Sequence, residues 1–248
     1  PVVFLSVNDA DNAFCYGTNV TYTATSGYAN YMFRVDGNPL QNGSSNTFTL
    51  GSLTDGQSVD AVVTSVQGCS TTTNSITNTV YPNPVVTLLS DDPDNVICSG
   101  TVVNFTATGG YNNYDFRING STVQTGASST FSTSGLLDGQ QVNVLVSSAE
   151  GCSTLSNSLT FTVHDAPIAS AANNGPVCEG QTLTLTGGPG GMTTYSWTGP
   201  NGFSSLVQNP VVSGSATPAM SGVYVLTVTD TNGCQDTEQT NVTVNPAP

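Results

Sequence analysis

The chain has 248 residues, with 16 acidic side chains against two basic ones and a formal net charge of -14. There is no lysine and only 7% of residues are charged, so the chain has no electrostatic footing on nucleic acid or on an anionic membrane surface. No apolar stretch approaches the roughly 18 to 20 residues of a membrane-crossing helix. The missing lysine also removes Schiff-base chemistry, a lysine base and a phosphate-loop lysine, which leaves the acid, base and nucleophile inventory too thin for an enzyme.

Hydrophobic residues make up 37% of the chain, below the usual share of about 45–50%, so folding has to be argued from pattern. The pattern is strict alternation in short Thr-rich and Val-rich runs, which predicts half-buried strands. In chain order these cover residues 2–7, 19–25, 31–35, 40–41, 47–50, 59–66 and 70–80. Asp36-Gly37 forms a two-residue hairpin turn after the third strand.

The same text then recurs. A shift of 83 residues lays Cys15 on Cys98 and Cys69 on Cys152, with T-A-T-x-G-Y-x-N-Y-x-F-R starting at Thr23 and Thr106 and Asn119-Gly120 repeating the turn. A divergent third unit keeps the frame through Cys178 and Cys234. We read three tandem units, 1–82, 83–165 and 166–248, with Pro1, Pro84, Pro167 and Pro248 at equivalent starts. About seven strands per unit give an all-β chain of three immunoglobulin-like β-sandwich domains. The Pro-rich joints fit a segment of a longer array, with a mature processed polypeptide as the alternative.

Inward positions agree across the frames because side chains alternate faces. Val20, Tyr22 and Ala24 correspond to Val103, Phe105 and Ala107 and to Leu183, Leu185 and Gly187. Tyr31, Phe33 and Val35 correspond to Tyr114, Phe116 and Ile118, with Tyr195 and Trp197 in the third unit.

Each unit has one cysteine before its second strand and another after the strand of residues 59–66 or its counterpart, 54 residues apart in the first two units and 56 in the third. Six cysteines allow 15 pairings, and the repeat frame favours pairing within each unit: Cys15 with Cys69, Cys98 with Cys152, Cys178 with Cys234. Such a bridge is expected to stabilise each domain by about 4 kcal/mol in the chain-entropy model. Disulfides imply an oxidising, extracellular or periplasmic compartment.

Two acidic loops follow the first strands, Asp9, Asp11 and Asn12 in the first unit and Asp91, Asp92, Asp94 and Asn95 in the second. Hard oxygen donors gathered there suit Ca2+; the alternative is that they form Asx turns and cap the loop backbone. No other cofactor is expected. Arg34 and Arg117 point away from the core, as interface contacts or as cross-strand partners, Arg34 with Asp60. Tyr28 and Tyr111 either stack on sugar or cover the sandwich end. His164 stands alone at a joint, without triad partners.

The first two units, with D-x-D-N at Asp9 and Asp92, C-x-G-T at Cys15 and Cys98, and G-C-S-T at Gly68 and Gly151, resemble the Ig-like repeats of giant Bacteroidota surface proteins. The third, with C-E-G-Q-T-L-T-L-T at Cys178 and S-G-x-Y-x-L-T-V-T-D-x-N-G-C at Ser221, resembles their PKD-like units. That resemblance implies a cell-surface location on a Gram-negative bacterium, export by type IX secretion, and a role in gliding adhesins or filaments. The expected function is a non-catalytic structural or adhesive stalk. The alternatives are a building block of a self-assembling fibre and a carbohydrate-binding accessory module. Expected partners are neighbouring repeats, identical chains or surface glycans.

Overall fold

The computed structural model describes residues 2–248; Pro1, the first expected repeat start, lies outside them. The first repeat contains ten strands: β1 (Leu5–Val7), β2 (Ala13–Cys15), β3 (Val20–Ala24), β4 (Asn30–Val35), β5 (Asn38–Gly43), β6 (Thr47–Leu50), β7 (Ser58–Thr64), β8 (Ser70–Thr72), β9 (Ile76–Thr77) and β10 (Thr79–Tyr81). One sheet has the order β1-β3-β6, the other β5-β4-β7-β8 with β9 also on β7, and β2 pairs in parallel with β10. Asp36 and Gly37 both take positive φ, 49° and 80°. That is the mirror-image turn whose twist matches the flanking strands β4 and β5.

The same strand order returns twice. The second repeat has Leu88–Ser90, Val103–Ala107 and Thr130–Thr133 in one sheet and Ser121–Gly126, Asn113–Ile118, Gln141–Ser147 and Ser153–Leu155 in the other. The third has Ser170–Asn173, Leu183–Gly188 and Val211–Ser213, opposite Phe203–Ser205, Thr194–Gly199, Gly222–Thr229 and Gln235–Val242. The protein is therefore all-β, with three immunoglobulin-like sandwiches in tandem. By compactness the chain forms two units. The first comprises everything through Leu89 with Phe105–Phe131 and Gln141–Leu159; the second comprises Ser90–Asn104, Ser132–Gln140 and Thr160–Pro248.

Alternation explains the cores. In β4 and β7 every second side chain is buried, giving Tyr31, Phe33 and Val35 opposite Val59, Ala61 and Val63. These join Val20, Tyr22 and Ala24 from β3 and Phe48 from β6, whose ring stacks on Phe33 at 5.4 Å. In the third repeat Leu183 and Leu185 pack with Trp197, Tyr224, Leu226 and Val228.

The strand expected over residues 70–80 is instead broken into β8, β9 and β10. Two asparagines account for the breaks. Asn74 exchanges two hydrogen bonds with the backbone of Leu5, tying the start of β1 across to the other sheet. Asn78 is buried, takes the Tyr22 hydroxyl on Oδ1 at 2.6 Å and donates Nδ2 to the carbonyls of Gln57 and Ile76.

Burial pushes the Tyr22 phenol up to about 12, partly offset by its bond to Asn78. Because the folded form holds the proton more tightly, this stability is complete below about pH 10, the ordinary phenol value, and is lost as pH rises toward 12. An alkaline denaturation series is expected to show the first repeat weakening across that window, with the effect reduced in Tyr22→Phe. At neutral pH Tyr22→Phe leaves the Asn78 carbonyl buried without its donor and is expected to cost about 1–2 kcal/mol in urea unfolding.

Candidate functional site

The cysteines make the arrangement that separates this chain from independent sandwiches. β1 runs antiparallel to β3, and the β10 exit runs alongside β2, so Cys15 at the end of β2 lies where β3 begins. β7 starts at that same end, beside the Asp36 turn, and runs away from it to the hairpin that carries Cys69. The seven residues of β7 span roughly 23 Å at about 3.3 Å per residue. A disulfide needs Cα atoms within about 4.4–6.8 Å. Pairing within a repeat is thereby excluded by the length of the sandwich, and the expected Cys15–Cys69, Cys98–Cys152 and Cys178–Cys234 bridges are not formed.

Instead Cys15 bonds Cys152, and Cys98 bonds Cys234, each with Cα atoms 5.5 Å apart. The strand cysteine of one repeat is joined to the hairpin cysteine of the next. Cys69 and Cys178 are free and exposed. The bridges staple successive domains and do not lock single ones.

In the first unit the connection beside the Cys15–Cys152 staple is further held by backbone and side-chain hydrogen bonds. Tyr16 N–H donates to the Tyr81 carbonyl at 2.9 Å, and Asn83 Nδ2 donates to the Tyr16 carbonyl at 3.0 Å. Tyr111 accepts the Val85 N–H on its hydroxyl oxygen and donates its own hydroxyl proton to the Val85 carbonyl, at 2.9 and 2.8 Å. In the second unit Ser99 N–H donates to the His164 carbonyl, and Ala166 N–H to Ser99 Oγ. His164 thus contributes its backbone beside Cys98, in register with it.

The other candidate residues make contacts within their own repeats. Asp9 and Asp11 both accept from the Ala13 N–H, and Asp92 and Asp94 both accept from the Val96 N–H. Asp91 accepts from the backbone and side chain of Asn104, which hold its carboxyl below the usual range. Asn12 and Asn95 supply the left-handed turn, with φ of 57° and 56°. These are the Asx turns of loop backbone, and among the described residues no three His, Cys, Asp or Glu side chains gather as a metal site. Tyr28 packs against the core beside Tyr31, and the Tyr111 ring meets that of Tyr114.

Arg34 makes a bidentate contact with Asp60 at 2.7 and 2.8 Å. Arg117 faces Asn143 at the equivalent position and turns to Asp115 on its own strand. Asp60→Asn is expected to cost less than about 1 kcal/mol in thermal unfolding, because the pair is partly solvated.

Sequence reasoning missed the inter-repeat pairing. The signal was present in the direction of the strands: the second and the 59–66 strands of each unit run the same way, which places a cysteine before one and a cysteine after the other at opposite ends.

No family model and no curated protein matches the chain. Among solved structures it is similar to a 1.5-MDa bacterial ice-binding adhesin, at 17% identity over 99% of this chain and 98% of that one, with a TM-score of 0.33. It is similar also to the fibronectin(III)-like modules of Clostridium thermocellum CbhA, at 13% identity over 65% of this chain and 95% of that one, TM-score 0.38. A third is the N-terminal Ig region of Down Syndrome Cell Adhesion Molecule, 12% identical over 99% of this chain and 37% of that one, TM-score 0.42. All three scores are low, and the fold assignment rests on the strand order. Among the described residues no helix is long and apolar enough to cross a membrane.

Proposed function

We propose that the chain is a non-catalytic structural segment of an extracellular repeat protein, a stalk or filament shaft in which consecutive sandwiches are covalently fastened to one another. The observation that carries this reading is the pairing of Cys15 with Cys152 and of Cys98 with Cys234. A bridge within a sandwich serves that sandwich's own stability, whereas a bridge across a joint serves the transmission of load and the setting of one domain against the next. Two such disulfides require an oxidising compartment. The resemblance of the repeats to those of Bacteroidota surface proteins supports the outer face of a Gram-negative cell and type IX export, in an adhesin of the gliding kind.

This reading invokes no calcium. The carboxylates of Asp9, Asp11, Asp92 and Asp94 are engaged with loop N–H groups, so chelation is expected to leave the melting temperature unchanged; a fall would add the ion to the reading. The role itself is tested by electron microscopy of the purified chain before and after reduction. Rows of beads whose bend angles widen on reduction are expected. Beads with the same spread of angles in both states would overturn the reading, as would hydrolytic turnover that survives repurification.

A further inference from the structure

Cys69 and Cys178 are the two cysteines left over, and each occupies a position whose counterparts are already bonded. Cys69 is a hairpin cysteine, like Cys152 and Cys234; Cys178 is a strand cysteine, like Cys15 and Cys98.

The backbone around each is already in the stapled form. In the hairpin, Ser65 N–H donates to the Cys69 carbonyl and Gly68 N–H to the Ser65 carbonyl. The same two bonds link Ser148 with Cys152 and Gly151 with Ser148, and again Asp230 with Cys234 and Gly233 with Asp230. Beside the strand cysteine, Gln181 N–H donates to the Cys178 carbonyl at 3.0 Å, as Thr18 does to Cys15 at 3.0 Å and Thr101 to Cys98 at 3.1 Å.

The exit from the third repeat is also held in the same way. Glu179 N–H donates to the Asn245 carbonyl at 2.8 Å, matching Tyr16 with Tyr81 and Ser99 with His164. Ala247 N–H then donates to Glu179 Oε2, where Asn83 meets Tyr16 and Ala166 meets Ser99. What differs is cover. Cys152 and Cys234 are 1% and 0% exposed, whereas Cys69 and Cys178 are open to solvent.

From this threefold geometry we infer that Cys69 and Cys178 are the two open halves of one further staple, whose partner at each end is another repeat of this same kind. Cys178 takes the hairpin cysteine of a unit placed after Pro248, and Cys69 takes the strand cysteine of a unit placed ahead of β1. The inference deepens the stalk reading and rests on it.

The chemistry is thiol–disulfide exchange with a small disulfide such as oxidised glutathione. The Cys178 thiolate attacks one glutathione sulfur, forming a mixed disulfide and expelling the other glutathione as thiolate. The partner's hairpin thiolate then attacks the Cys178 sulfur and releases the second glutathione. Two protein thiols are oxidised and one glutathione disulfide is reduced to two thiols, the two glutathione thiolates taking up the two protons that the protein thiols give up.

The test is a chain of two copies in tandem, Pro248 of the first serving as Pro1 of the second, refolded in a glutathione redox buffer. Free thiols are alkylated and linked peptides mapped by mass spectrometry. Cys178 of the first copy is expected to be joined to Cys69 of the second, alongside the two staples within each copy. Of the twelve cysteines, two remain alkylated: Cys69 of the first copy and Cys178 of the second. In a tandem with Cys178→Ser in the first copy, Cys69 of the second becomes alkylated and no other linkage changes.

The inference is overturned if the junction thiols are alkylated or capped by glutathione while the four internal staples form. A Cys69–Cys69 or Cys178–Cys178 linkage overturns it equally. Failure of Cys15–Cys152 and Cys98–Cys234 themselves would be a different result and would remove the stalk reading beneath it.

Discussion

Pulled from its two ends in an optical trap, the oxidised chain is expected to reach a contour length of only about 300 Å, against about 870 Å after reduction, taking roughly 3.5 Å per extended residue. The difference follows from the two staples. In the reduced chain all 248 residues pay out. In the oxidised chain the shortest covalent route runs from the start to Cys15, crosses to Cys152, returns along the chain to Cys98, crosses to Cys234 and continues to the end. That route contains about 85 residues, which at the same rise per residue sets the oxidised limit. Residues 16–97 and 153–233 lie in bypassed loops, so force reaches the first and third sandwiches without being able to draw out most of their strands. Equal contour lengths in both redox states would show that the staples do not form.

The second large effect is expected at Trp197. Its ring is wholly buried, with Nε1–H donated to the Gln208 carbonyl at 3.1 Å. Trp197→Ala removes the largest side chain of the core and leaves that carbonyl unpaired, at a cost of about 3–5 kcal/mol. A repeat of some 80 residues has only about 4–12 kcal/mol in total, and the third repeat has no internal disulfide to supplement it. Amide exchange in Gly222–Thr229 is expected to accelerate by two to three orders of magnitude, while the first repeat is unaffected.

Trp197 is accommodated by Gly187. A Cβ there would stand 2.8 Å from the Gln208 carbonyl oxygen and 3.2 Å from the Trp197 ring. The first two repeats hold Ala24 with Phe33 and Ala107 with Phe116 at these positions, a smaller ring against a larger neighbour. Gly187→Ala is expected to cost about 1–3 kcal/mol by overpacking, and Trp197→Phe to recover part of it in the double variant. Strictly additive costs would show that the two positions do not share the space.

Most of the sandwich was legible in the sequence because alternation and turn chemistry are local. Val20, Tyr22 and Ala24, Phe33 and Phe116, Leu183 and Leu185 are all buried as the three frames require, and Asp36-Gly37 and Asn119-Gly120 turn with positive φ. Ile118 is only half-buried, at the hairpin end of its strand. The short β2 was not visible, since three residues with one inward Phe14 leave too little pattern to read.

The breaks at Asn74 and Asn78 were hidden for another reason. A polar side chain in a strand reads as outward-facing unless its partners across the sandwich are known, and those partners are Leu5, Tyr22, Gln57 and Ile76. Arg117 was beyond reach in the same sense. Its counterpart Arg34 has an acid directly across the ladder at Asp60, but position 143 is Asn, and the carboxylate it finds lies two residues back on its own strand. The disulfides failed to follow from spacing because equal spacing in every repeat is satisfied by pairing within repeats and by pairing one repeat onward. Only strand direction distinguishes the two.

The two arginines have a consequence for the life of such a protein outside a cell. A proteinase that cuts after basic residues has two bonds to choose from in the whole chain, at Arg34 and Arg117. Both are the next-to-last residue of a six-residue strand that is paired on both sides, and both side chains are tied to aspartates. Such enzymes cut exposed, flexible loops, and no loop of this protein offers them a basic residue. A trypsin-like enzyme must therefore wait for the first or second sandwich to open, and in the third repeat it has nothing to cut.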